Sequence, residues 1–194
     1  HLVLASGSYS RSLPGLEIDG ERVLTSEHAL RLDRVPGSVI VLGGGVIGVE
    51  FASFYNDMGA KVTIVEMLDR IVPVEDADIS AALAKSLTRQ GITIKAGTAL
   101  EELKVTDQGI SAKLKGKDGK IEAGEYSHVI VAIGIVPNTE NIGIEQMVDM
   151  DRGFVTIDPY GRTKTKGLWA IGDCVPGPWL AHKASHEGVT AAES

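Results

Sequence analysis

Residues 38–66 constrain the fold more than any other stretch of the chain. An apolar run, Val39-Ile-Val-Leu42, leads into Gly43-Gly-Gly45-Val-Ile-Gly48-Val-Glu50, and Lys61-Val-Thr-Ile-Val-Glu66 follows one helix length later. The order is strand, glycine turn, helix, strand, acid, which is the layout of a dinucleotide-binding βαβ unit. Gly43 lets the strand turn sharply, because a residue without Cβ reaches backbone angles closed to others. Gly45 leaves room for a pyrophosphate against the backbone, where the free N–H groups and positive dipole end of the new helix can hold it. Gly48 permits close packing of helix on strand. Glu66 ends the second strand, where it can accept hydrogen bonds from both hydroxyls of an adenine ribose. The competing reading of Glu66 is a solvated strand end.

Composition narrows the class. A chain of 194 residues forms one sizeable core or two small ones. With 43% hydrophobic and 23% charged residues it reads as an ordinary globular protein. A formal net charge of −7 with no Lys/Arg cluster argues against nucleic acid or an anionic membrane surface as partner. No apolar run approaches the ~20 residues needed to cross a bilayer, and no charged-then-apolar leader is visible, so a cytoplasmic location is expected. Cys174 is the only cysteine, which excludes an intramolecular disulfide and fits a reducing compartment. It reads as a small, half-buried hydrophobe rather than a catalytic thiol. His182 and His186, four apart with Glu187 adjacent, have a metal-compatible spacing, but no third ligand is apparent and no metal is expected. His28 and His128 show no constellation.

The first 36 residues read as a short strand and a turn-rich connector, in which Thr25 or Ser26 caps a brief helix. Apolar strand 38–42, helix 46–58 closed by Gly59, and strand 61–65 build the right-handed βαβ unit. A helix over 76–90 follows, with Ile79, Ala82, Leu83, Ser86 and Leu87 as its buried stripe. A strand at Ile92–Ile94 comes next. An alternating pattern from Thr98 to Ala123, turning at Lys117-Asp-Gly-Lys120, predicts an antiparallel meander in place of a crossover helix. Strands near 129–133, 154–157 and 168–171 complete the pattern. The chain opens on a strand and stops inside a helix after Ala181, so it reads as a piece of a longer protein.

Four ordered motifs carry a resemblance to the pyridine-nucleotide:disulfide oxidoreductases, nearest to their dihydrolipoyl dehydrogenase branch. Ala5-Ser6-Gly7-Ser8 resembles the family's Ala-Thr-Gly-Ser segment, and the 43–50 loop its NAD motif. Ala132-Ile-Gly-Ile-Val-Pro-Asn138 resembles its Ile-Gly-Arg-x-Pro-Asn turn. Ala170-Ile-Gly-Asp-Cys174 with Trp179-Leu-Ala-His-Lys-Ala184 resembles its second flavin motif.

The resemblance implies an α/β fold: a Rossmann-like parallel sheet with an inserted meander, flanked by remnants of an FAD domain. It implies an FAD remnant and connector at 1–36, an NAD domain at 37–157, and a second FAD remnant at 158–194. Gly43, Gly44, Gly45, Val46, Ile47, Gly48, Val49, Glu50, Glu66, Leu100 and Gly134 would then line the NAD site. Ser6, Gly7, Ser8, Asp173, Trp179, Leu180, Ala181 and His182 would face FAD. In such an enzyme dihydrolipoamide reduces a disulfide, the dithiol reduces FAD, and FADH₂ passes hydride to NAD⁺. The redox Cys pair, the His-Glu acid/base pair and the N-terminal FAD loop are not found here. No catalytic residue is therefore expected in the chain, apart from Glu50 as an auxiliary near the flavin or simply a dipole-favoured acid. NAD binding without FAD retention or turnover is the expectation. The parent is expected to be a homodimer within a 2-oxoacid dehydrogenase complex.

Glu66, followed by Met67, Leu68 and Asp69 rather than basic residues, favours NAD over NADP. Ile135 stands where the family has arginine, and Trp179 where many members have Met. The alternatives are another flavoprotein disulfide reductase, such as a mercuric or glutathione reductase or a soluble transhydrogenase, and a stand-alone non-catalytic dinucleotide-binding module.

Overall fold

The computed structural model describes residues 1–194. In chain order the elements begin with β1 (Leu2–Leu4), β2 (Ser8–Ser10), β3 (Val23–Leu24), α1 (Ser26–Ala29), β4 (Ser38–Leu42), α2 (Val46–Asp57) and β5 (Lys61–Glu66). They continue with α3 (Ala77–Arg89), β6 (Thr93–Ala96), β7 (Thr98–Thr106), β8 (Gly109–Gly116), β9 (Ile121–Tyr126), β10 (His128–Val131) and β11 (Ile135–Pro137). Short strands β12 (Met150–Asp151), β13 (Phe154–Val155) and β14 (Leu168–Ala170), a 3₁₀ turn at Gly172–Cys174 and α4 (Ala181–Glu193) complete the chain.

Contacts divide the chain into two compact units, Ser10–Gly134 and a second made of His1–Tyr9 with Ile135–Ser194. The divisions expected at 36/37 and 157/158 fall inside these units. Most of the stretch read as a connector belongs to the first unit, where Val23–Leu24 pair in parallel with Val129–Ile130 at the sheet edge.

The first unit is built on a five-stranded sheet of order β3-β10-β4-β5-β6, parallel throughout. Strand β4 shows why its sequence is apolar on both faces. Val39 and Val41 pack with Ala52 and Tyr55 of α2 and Leu87 of α3, while Ile40 and Leu42 pack with Ile110, Ala112 and Leu114 of β8. Helices therefore cover one face and the antiparallel meander β7-β8-β9 covers the other, so alternate residues find different apolar partners. Fully burying each such Val or Ile contributes roughly 1.5–3 kcal/mol. The meander's register shifts at Leu100/Glu102, a bulge that bends β7.

The face of α3 differs from expectation. Ser80, Leu83, Ala84 and Leu87 form the inward stripe, whereas Ile79 is 56% exposed and Ala82 also faces solvent. The helix is rotated about one residue from that expectation, and Ser80, although polar, is buried with a hydrogen-bond acceptor, as described below.

In the second unit β1 and β14 pair in parallel, and β12 and β13 antiparallel. Its core gathers Ile144, Val148, Val155, Leu168, Ala170, Cys174 and Val175. Cys174 is fully rather than half buried, with its thiol donating to the Ile171 carbonyl at 3.2 Å. No helix of the chain is long and apolar enough to cross a membrane.

Candidate dinucleotide-binding site

The glycine turn joins the carboxyl end of β4 to α2, and its three glycines differ in what they do. Gly43 adopts φ +103°, and a Cβ there would lie 2.2 Å from the Ala132 carbonyl oxygen of the neighbouring strand end. A Cβ on Gly48 would lie 1.9 Å from the Gly43 oxygen, so helix and turn meet at backbone distance. A Cβ on Gly45 would meet nothing within 4 Å. Gly43 and Gly48 are thus required by the fold, whereas Gly45 leaves open space at the helix start. No side chain caps α2, and its first backbone bond runs from the Val49 N–H to the Gly45 oxygen at 3.0 Å. The amides ahead of Val49 are left for a ligand with anionic oxygens. Val46 and Ile47 flank them, 49% and 37% exposed, while Val49 turns into the core.

Glu66 is not a solvated strand end. Its Oε2 accepts the Gly44 N–H at 2.7 Å, and its Oε1 accepts the Leu68 N–H at 2.8 Å. Each carboxylate oxygen keeps a second acceptor position, so the group can still receive two hydroxyl donors. The Gly44 carbonyl is held in turn by the Val72 N–H at 2.7 Å. Ile71 closes over the same residue, since a Cβ on Gly44 would lie 2.9 Å from its Cγ2. Val72 holds its place at φ +40°. That left-handed conformation is a true outlier for a β-branched residue and costs on the order of 1–3 kcal/mol. Behind it, Ser80 of α3 donates from Oγ to the Ile71 carbonyl at 2.7 Å. No sequence signal marked Val72 or Ser80.

The remaining members of the expected NAD set lie apart from this cluster in their roles. Glu50 is exposed and makes no ion pair. Leu100 is half-buried and packs into the core between sheet and meander. Gly134, at φ +109°, accepts the Arg11 N–H at 2.9 Å through its carbonyl. Past Glu66, Met67 and Leu68 are 69% and 49% exposed, and Asp69 pairs with Lys117 of the meander turn.

In the second unit Ser8 and Asp173, each expected to face FAD, are brought together: the Ser8 hydroxyl donates to Asp173 Oδ2 at 2.9 Å. Gly7 sits at φ +72°, and the Ser6 hydroxyl is buried without a partner, a polar atom suited to a ligand's hydroxyl or phosphate. Gly172, next to Asp173, donates its N–H to Glu187 Oε2 at 2.8 Å. Lys183 donates to its carbonyl at 3.2 Å and pairs with Glu187 at 3.0 Å. Trp179 stacks on Phe154 with ring centroids 5.2 Å apart and is 46% exposed. Leu180, Ala181 and His182 extend the same exposed segment into α4. His182 and His186 gather no third ligand into a metal-binding group.

A parallel sheet with a glycine turn at the carboxyl end of its central strand and an acid closing the next strand defines a Rossmann-type α/β chain. Residues 1–188 match the pyridine nucleotide-disulphide oxidoreductase family, and the chain belongs to it. The dihydrolipoyl dehydrogenase of Zymomonas mobilis is 47% identical over 194 residues, covering 100% of this chain and 42% of that protein. The crystal structure of LpdA from Mycobacterium tuberculosis superposes with a TM-score of 0.86 at 34% identity, over 97% of this chain and 41% of that one. The HOCl-induced flavoprotein disulfide reductase RclA from Escherichia coli, in its Cu(II) complex, gives a TM-score of 0.86 at 26% identity, over 98% and 43%. The chain thus spans about two-fifths of the length of these relatives. The family is one of enzymes, oxidoreductases that its description ties to a pyridine nucleotide and a disulfide.

Proposed function

We propose that the chain binds NAD⁺/NADH on the 43–50 loop and Glu66, and that it contributes part of a flavin site, within a dihydrolipoyl dehydrogenase. The observation that carries this reading is the division of labour in the loop: two glycines are demanded by packing, and the third opens a cleft at uncapped helix amides beside a carboxylate. The amides of α2 hold the pyrophosphate, and Glu66 accepts the ribose hydroxyls through its unused lone pairs. A 2′-phosphate would meet the Glu66 carboxylate as a like charge, which disfavours NADP. Ser8 and Asp173 orient the ribitol-phosphate arm of FAD, and Trp179–His182 cover its ring system. When bound, the two cofactors supply hydride exchange, and the protein's share is placement.

With a single cysteine the chain cannot form a redox dithiol of its own, so we assign it no turnover of dihydrolipoamide by itself. Retention of FAD is not expected. Homodimer formation and membership of a 2-oxoacid dehydrogenase complex belong to the same proposal, as does a cytoplasmic setting. Calorimetric titration with NAD⁺ and NADP⁺, with a visible spectrum of the purified chain, tests the reading. Saturable NAD⁺ binding, weaker NADP⁺ binding and no flavin absorbance are expected. Preference for NADP⁺, or binding of neither, would overturn the role of Glu66, and lipoamide reductase activity would overturn the assignment of no turnover.

A further inference from the structure

Two residues that cannot touch a ligand hold the ligand loop. Ser80 is 1% exposed and Val72 5%, yet together they run from α3 to the glycine turn: Ser80 Oγ to the Ile71 carbonyl, then Val72 N–H to the Gly44 carbonyl, each at 2.7 Å. A serine in the first turns of a helix usually bonds the carbonyl of its own preceding turn. Ser80 instead reaches nine residues back along the chain. A turn that only needed to reverse direction would carry Gly or Asn at a positive φ, whereas here Val stands at +40°, its side chain buried under the loop. Strain of that kind persists only where the surroundings over-determine it.

We propose that Val72 and Ser80 are positioning residues for nucleotide binding. With the Gly44 N–H on Glu66 and its carbonyl on Val72, the Gly44 peptides cannot rotate. The open face of Gly45 and the first amides of α2 are set toward the cleft before ligand arrives. This role rests on the NAD reading above.

Two measurements on the chain test it: the calorimetric Kd for NAD⁺, and the ¹⁵N amide signal of Gly44 without nucleotide. Ser80→Ala removes the hydroxyl at the far end of the relay. It is expected to shift the Gly44 signal and to weaken NAD⁺ binding about fivefold, the worth of one net hydrogen bond. Tyr55→Phe removes a buried hydrogen bond away from the loop, from the Tyr55 hydroxyl to the Ala29 carbonyl at 2.6 Å, so it should lower stability yet leave the Gly44 signal in place and hold NAD⁺ within about twofold of wild type. A merely structural Ser80 would lower thermal stability while leaving both the Gly44 signal and the Kd unchanged, and that result would overturn the proposal. Tyr55→Phe binding as poorly as Ser80→Ala would show that any buried loss in this unit weakens the site, and would overturn the specific role of the Ser80–Val72 relay. Absence of NAD⁺ binding in wild type would instead overturn the nucleotide reading, with the Gly44 shift in Ser80→Ala still reporting on the relay.

Discussion

Replacing Glu66 by alanine in the nucleotide-free chain tests whether the proposed ribose acceptor also ties the loop. In the structure its two oxygens accept from Gly44 and Leu68 at 2.7 and 2.8 Å. Gly44 is buried, so losing its acceptor strands an N–H with no water to replace it, at about 1–3 kcal/mol. Leu68 is 49% exposed, so water takes over there and the loss is about 0.5 kcal/mol. The apoprotein should therefore lose roughly 2 kcal/mol, or about 4–8 °C in Tm for a chain of this size. Glu66→Gln should fare little better. Its amide oxygen can accept only one of the two N–H groups, and its NH₂ faces the other, donor against donor. Urea or thermal unfolding without nucleotide reads the effect directly. A Glu66→Ala apoprotein within about 0.5 kcal/mol of wild type, the range of ordinary surface substitutions, would refute the tying role.

Further substitutions probe other parts of the account. Gly45→Ala should leave Tm within about 2 °C, since its φ is −72° and its Cβ would meet nothing within 4 Å, yet weaken NAD⁺ binding at least about tenfold by calorimetry. Gly48→Ala, whose Cβ would lie 1.9 Å from the Gly43 oxygen, should fail to give a cooperative thermal transition. Tyr55→Phe deletes a buried hydroxyl that donates to the Ala29 carbonyl at 2.6 Å, and should cost about 1–3 kcal/mol in urea with no change in NAD⁺ affinity. Lys104 and Lys113, each 2.6 Å from Glu102, hold its carboxyl down to about 2 from an ordinary 4.5. The stabilisation from this group is therefore complete above pH 4.5 and fades as pH falls toward 2, and carbon-detected titration by NMR should place its midpoint near 2 in the wild type and higher in Lys113→Ala.

The sequence made the βαβ unit legible because its signals are local. Glycines at 43, 45 and 48 each answer to a nearby backbone or cleft, and the alternation from 98 to 123 shows as a meander whatever it packs on. The inward face of α3 was not legible. Hydropathy placed Ile79 inside and left Ser80 out, but Ser80 is the buried residue, its hydroxyl on a carbonyl contributed by a loop, and Ile79 is left 56% exposed. Val72 gave no signal because a β-branched residue argues against the backbone it adopts. The edge strand Val23–Leu24 is only two residues long, and only its pairing with Val129–Ile130, far along the chain, makes it a strand at all. Of the candidate site, Glu66 was named as a ribose acceptor while its backbone donors, Gly44 and Leu68, gave no signal, and Ser8 and Asp173 were named separately before the structure joined them.

The central claim is that the 43–50 loop and Glu66 hold the nucleotide, and chemical-shift mapping with NAD⁺ on the ¹⁵N-labelled chain tests it most directly. The account predicts saturable shifts concentrated at the amides of Gly44, Gly45, Val46 and Ile47 and at Glu66. Shifts confined to other parts of the chain, or none at millimolar NAD⁺, would contradict it.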